Sequence, residues 1–115
     1  MALVKNLIID QGTSFAATIT VPDPILLASL ALETSSIHSQ IRKSAFSTVI
    51  IAEFHCTYDP ETSQIIIFLN DVETTTIYPG RYEYDVLVVD PTRNSTIKIM
   101  GGTVTIDSTI TKING

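Results

Sequence analysis

The sequence predicts an all-β fold, a sandwich of about seven antiparallel strands, and three observations lead there. Thr, Ile and Val account for 41 of the 115 residues, and branching at Cβ stiffens χ1 and suits a pleated sheet better than a helix. Apolar and polar residues alternate with period two over several stretches, as strands with one buried face do. Gly and Pro, five of each, fall mostly between those stretches, where turns are needed.

Residues 3–9 form the first apolar run, closed by the turn signal Asp10-Gln11-Gly12. Residues 13–21 alternate, with Phe15, Ala17, Ile19 and Val21 on one face and Ser14, Ala16, Thr18 and Thr20 on the other. Pro22-Asp23-Pro24 then breaks the chain. Residues 25–32 admit two readings. Asp23 can cap a short helix with Pro24 at its first position, or the segment is an apolar loop packed over one end of the sandwich or onto a partner. Residues 35–43 read as extended, Ile37, Ser39 and Ile41 sharing one face and His38, Gln40 and Arg42 the other.

Residues 48–58 read as one strand, with Ile50, Ala52, Phe54, Cys56 and Tyr58 inward and Glu53, His55 and Thr57 outward. Asp59-Pro60-Glu61-Thr62-Ser63 makes a hairpin connection. Residues 65–69 are continuously apolar, the pattern of a strand buried on both faces. Residues 70–80 are a polar connection with one helical turn near residues 72–77, ending in Pro79-Gly80. Residues 81–90 place Tyr82, Tyr84, Val86 and Val88 on one face. One of the two tyrosines is positioned to tie its hydroxyl to backbone at a corner, as sandwich domains often do. Residues 96–100 and 103–107 finish the sheet, with a bulge or bend at Gly101-Gly102. A tail follows from Ile110. Short strands at this spacing predict immunoglobulin-like topology in a single domain, residues 1–115.

Composition narrows the function. Twelve acidic against seven basic residues give a net charge of −5, with Arg42-Lys43 the only adjacent basic pair. No basic stripe is available for a run of phosphates, so neither nucleic acid nor an anionic membrane is an expected partner. The single cysteine, Cys56, allows no internal disulfide, and the first residues lack the apolar stretch of a signal peptide. A charged fraction of 17% beside a hydrophobic fraction of 44% points to apolar surface covered by partners or by other copies.

No enzyme is expected. His55 and Cys56 are adjacent on a strand, so their side chains face opposite ways and cannot form a thiolate–imidazole pair. Asp59 with Glu61, and Asp71 with Glu73, are oxygen ligands in loops but too sparse for a calcium run, and bonds to nearby backbone are the expected role. Gly101-Gly102 lacks the following helix of a phosphate loop. No metal or cofactor is therefore expected. Asn94-Ser95-Thr96 fits the glycosylation pattern, which matters only in a secreted eukaryotic protein.

Four motifs occur in order along the chain: the opening Asn6-Leu7-Ile8-Ile9-Asp10-Gln11-Gly12-Thr13-Ser14-Phe15, then Gln40-Ile41-Arg42-Lys43-Ser44, then Pro79-Gly80-Arg81-Tyr82-Glu83-Tyr84-Asp85-Val86, and the closing Gly102-Thr103-Val104-Thr105-Ile106. Together they resemble a family of small structural proteins of tailed phages, notably phages of cyanobacteria, which is itself similar to the immunoglobulin-like N-terminal modules of phage baseplate proteins. The resemblance implies a virion component, assembled in the host cytoplasm, with no catalytic activity and no cofactor. It implies other virion proteins as partners, and several copies or a homo-oligomer in an assembly. The chain departs from the family at residues 24–32, where members carry a polar, glycine-containing loop.

The expected role is thus an interaction module at a tail, baseplate or fibre junction. The alternatives are a capsid decoration protein and a carbohydrate- or cation-binding adhesion module. Candidate contact residues are Ile25, Leu26, Leu27 and Leu30 in the apolar insertion, Tyr78 beside the rigid Pro79-Gly80 turn, and Ile110 and Ile113 in the tail.

Overall fold

Two antiparallel-rich sheets of unequal size face each other in the computed structural model, which describes residues 3–20 and 30–111. The strands are β1 (Leu3–Val4), β2 (Leu7–Asp10), β3 (Phe15–Thr20), β4 (Ser36–Arg42), β5 (Ala52–Glu53), β6 (His55–Asp59), β7 (Gln64–Leu69), β8 (Gly80–Asp90) and β9 (Ser95–Asp107), with one short helix, α1 (Asp71–Thr75), before β8. The larger sheet runs β1-β9-β8-β4-β5, with β2 also along β9, and the smaller runs β3-β7-β6. This is the immunoglobulin-like sandwich that strand spacing predicted.

Inward residues of both sheets form one core. Ile9, Ile41, Ile65, Ile67, Val86 and Val104 are fully enclosed in it. Phe54 bridges the layers, its ring 6.1 Å from Phe15 on the smaller sheet and 6.1 Å from Tyr84 on the larger. Leu30 and Leu32, the described leucines of the 25–32 segment, are core residues as well, while residues 25–29 lie outside the described residues. Buried polar groups are paired: Ser39 Oγ donates to the Asp85 carbonyl at 2.7 Å. Thr74 Oγ1 donates to the Thr13 carbonyl at 2.7 Å and accepts from the Gly12 N–H at 3.1 Å, pinning α1 to the β2–β3 turn. Unpaired, such groups would cost about 1–3 kcal/mol each.

Asn70 caps α1, accepting from the Glu73 N–H at 2.8 Å while Glu73 Oε1 accepts from the Asn70 N–H at 3.0 Å. The reciprocal pair satisfies two otherwise orphaned donors and starts the helical turn expected in this connection. After it, Tyr82 Oη donates to the Tyr78 carbonyl at 2.7 Å. That is the tyrosine-to-backbone corner anticipated for one of the two inward tyrosines.

Four local expectations are corrected. The first run is not one strand. β1 and β2 both pair in parallel with β9, and they are separated at Lys5–Asn6, where the Tyr84 hydroxyl donates to the Lys5 carbonyl at 2.6 Å and Asn6 Oδ1 accepts from the Thr103 N–H at 3.1 Å. Residues 48–58 are not one strand either. β5 pairs with β4 in the larger sheet and β6 with β7 in the smaller, so the chain changes sheets at Phe54, and Ile50 is exposed rather than inward.

β7 is buried on one face only, because no layer of the described residues covers the outside of the smaller sheet: Ile65, Ile67 and Leu69 are enclosed while Phe68 is partly exposed. Finally, the bulge is at Ile99 on β9, the extra residue between the Val86–Met100 and Leu87–Lys98 pairs, and Gly101 and Gly102 follow it in regular pairing within the same strand. Gly102 has another function. A Cβ there would run into the Lys5 carbonyl oxygen and lie 2.9 Å from Asn6 Oδ1, so glycine permits the N-terminal edge to approach.

Candidate interaction surfaces

Of the contact residues chosen from sequence, Ile25, Leu26, Leu27 and Ile113 lie outside the described residues. Leu30 does not face a partner: it is 1% exposed and packs in the core. Tyr78 is 84% exposed and Ile110 97%. Tyr78 is held by its own backbone, since its carbonyl anchors Tyr82 while its ring projects outward.

The loop between β4 and β5 was missed. Arg42 Nη1 donates to the Ser47 carbonyl at 2.7 Å, and the same guanidinium holds the Gln40 carboxamide at 2.9 Å. The Ala45 N–H donates to Glu83 Oε2 at 2.7 Å, the Ser47 N–H to the Ser44 carbonyl at 3.1 Å, and the Ile51 N–H to the Ile41 carbonyl at 2.8 Å. Lys43 lies 4.8 Å from the centre of the Tyr82 ring and donates to the Arg81 carbonyl at 3.2 Å. A loop fastened at both ends and in its middle nonetheless leaves Phe46 96% exposed and Val49 63% exposed. Burying such side chains is worth about 1.5–3 kcal/mol each, a gain the isolated chain forgoes. The sequence signal was available: Val49, Ile50 and Ile51 are consecutive, and a strand cannot turn all three to one face.

The outside of the smaller sheet is a second surface. Across its three strands the neighbours are Ala16, Phe68 and His55, then Thr18, Ile66 and Thr57, then Thr20, Gln64 and Asp59. His55 stacks on Phe68 with ring centres 5.0 Å apart, and its Nε2 lies 2.9 Å from both oxygens of Glu73. The Glu73 carboxyl is held below its ordinary range, first by the Asn70 N–H and then by His55. A third surface is a groove of 590 Å³ on the outside of the larger sheet, where Asn6, Gln40, Arg42, Glu83, Asp85 and Lys98 mix both signs of charge.

The candidate chemical groups fall into structural positions. Cys56 points away from His55, as strand alternation requires. It is half-buried with its thiol 3.6 Å from the Phe54 carbonyl, and burial with nearby Glu53 pushes it up to about 11. It is a thiol rather than a thiolate at neutral pH. Asp59 Oδ1 accepts from the Glu61 N–H at 3.0 Å and Asp71 Oδ1 from the Val72 N–H at 2.9 Å, the backbone-binding roles expected for both.

No family model and no curated protein matches the sequence. Among solved structures 334 chains match, so the fold is a common one and does not single out a function. One is the crystal structure of Listeria monocytogenes InlP, with a TM-score of 0.56 and 18% identity over 90% of this chain and 26% of that one. The chain thus spans about a quarter of that protein, and a likeness at this identity establishes the β-sandwich fold alone.

Proposed function

We propose that this chain is a non-enzymatic interaction module of a phage virion, placed at the tail, baseplate or fibre junction and held there by protein contacts. The observation that carries the interaction role is the fastened β4–β5 loop with Phe46 at its exposed tip. A rigid base presenting an apolar side chain loses little entropy on docking, which is what an efficient contact anchor needs. Tyr78 adds a second backbone-fixed aromatic side chain. The virion setting is supported by the four ordered sequence motifs, of which the second, residues 40–44, leads directly into this loop.

The test is to separate phage particles into heads and tails and to quantify the chain in each by mass spectrometry. Enrichment in tails is the expected result. Enrichment in heads at hundreds of copies would replace this reading with capsid decoration, and absence from both would end the virion reading.

A further inference from the structure

The described cations of this molecule lie in or beside one of its two sheets, which carries carboxylates as well, Glu53 on β5 and Glu83 and Asp85 on β8 among them. From residue 44 to residue 80 there is no Lys or Arg, while Glu53, Asp59, Glu61, Asp71 and Glu73 fall in this stretch. Those five carboxylates equal the chain's whole net charge of −5, so the remainder of the sequence is balanced. β3 adds no charge. The smaller sheet and α1 therefore contain no Lys or Arg. All described Lys and Arg residues, namely Lys5, Arg42, Lys43, Arg81, Arg93 and Lys98, lie in or beside the larger sheet.

Ion pairs between described residues include His55–Glu73 and Arg93–Asp90. Arg42, Lys43 and Arg81 have no carboxylate partner within 4.0 Å among the described residues, and they cluster at the base of the Phe46 loop, Lys43 reaching the Arg81 carbonyl. The molecule thus offers an apolar tip with a collar in which these three cations outnumber one carboxylate, Glu83, bound to the Ala45 N–H. It also offers, outside the smaller sheet, an apolar strip of Ile66 and Phe68 with acidic residues around it.

We infer that the two surfaces are complementary, and that the β4–β5 loop of one copy docks on the outer face of the smaller sheet of a second copy. This deepens the interaction role proposed above and rests on it. Phe46 and Val49 meet Phe68 and Ile66, and the cations at the loop base face the carboxylates of β6, the β6–β7 turn and α1. Sign complementarity of this kind fixes register and raises the association rate. A contact between two different patches leaves one of each free on every pair, so it builds chains or closed rings unless a two-fold axis makes it reciprocal.

The test is sedimentation of the purified full chain from about 10 μM to about 1 mM, where contacts of modest strength populate, at low and high salt. Concentration-dependent association is expected, weakened by salt because the collar and the acidic face are screened. Phe46→Asp and Phe68→Asp each weaken it at least about tenfold. Both positions are solvent-accessible, and an unchanged melting temperature verifies that each variant folds. An equimolar mixture of the two variants recovers a dimer, because each supplies the patch the other lacks. A chain that stays monomeric throughout would overturn the inference. So would association indifferent to both substitutions, or a mixture that remains monomeric. Failure here leaves tail enrichment of the protein untouched, and absence from particles leaves the sedimentation result untouched, so the two readings fail separately.

Discussion

The smaller sheet is a regular ladder: β6 and β7 form a hairpin, β3 pairs along all six of its residues, and no register shift interrupts either pairing. The larger sheet joins the two ends of the chain. Its first strands run parallel to its last, its central pair carries a bulge, and its far edge is a two-residue strand from which the chain leaves for the other layer. The ladder is coded by alternation that any short window reveals. The irregularities come from single close approaches, Gly102 against Lys5 and Phe54 between two aromatic rings. Such approaches depend on residues far apart in the chain.

The contrast can be broken most forcefully at the middle of the ladder. Ile67 is fully buried on the central strand of the smaller sheet, and Ile67→Ala is expected to cost about 2–5 kcal/mol in urea unfolding. Gly102→Ala probes the other sheet. Its methyl group collides with the Lys5 backbone, and the expected cost is about 1–3 kcal/mol. Amide exchange should accelerate along β1 and β2 and stay unchanged in β3, β6 and β7. Uniform acceleration would show that the N-terminal edge is not a separate unit.

Tyr82→Phe removes the hydroxyl that holds the Tyr78 carbonyl, at a cost of about 1 kcal/mol by the same unfolding measurement. The smallest effect belongs to Glu73. Its folded carboxyl loses its proton more readily than the unfolded one, because the Asn70 N–H and His55 favour the charged form. Its contribution is present above the unfolded value of about 4.3 and fades as pH falls through the lower folded value. Melting curves from pH 2 to 6 should show a shallower acid loss in Glu73→Gln. An unchanged acid slope would mean that the capping box is not coupled to folding.

Much of the fold was legible because its cause is local. Alternation in residues 13–21, 35–43 and 81–90 anticipated β3, β4 and β8, and the helical turn expected near residues 72–77 is found as α1, starting slightly earlier at its Asn70 cap. The interruption at Lys5–Asn6 was not legible, since it is made by Tyr84 from 79 positions away. Neither was the change of sheet at Phe54, because Ala52, Phe54 and Cys56 keep one alternation across the switch. At the surface, apolar character was a poor guide by itself: Leu30 belongs to the core, while Phe46, flanked by small residues, stands in solvent. Which of the two is anchored and outward depends on Arg42, Glu83 and their bonds to the loop backbone.

The parallel pairing of β1 and β2 with β9 has a mechanical consequence. The partners run in the same direction, Leu3 beside Met100 through to Asp10 beside Asp107. Tension drawing the front of the chain away from its back therefore pulls these strands lengthwise past each other. The bonds between them, with the flanking Lys5-to-Gly101 and Gln11-to-Asp107 links of 3.0 and 2.8 Å, share that tension side by side and must yield together. An antiparallel edge pulled from its open end would instead unzip one bond at a time. The joint between first and last strands is thus a clamp against stretching, in a fold whose net stability, like that of most domains, is only about 5–15 kcal/mol.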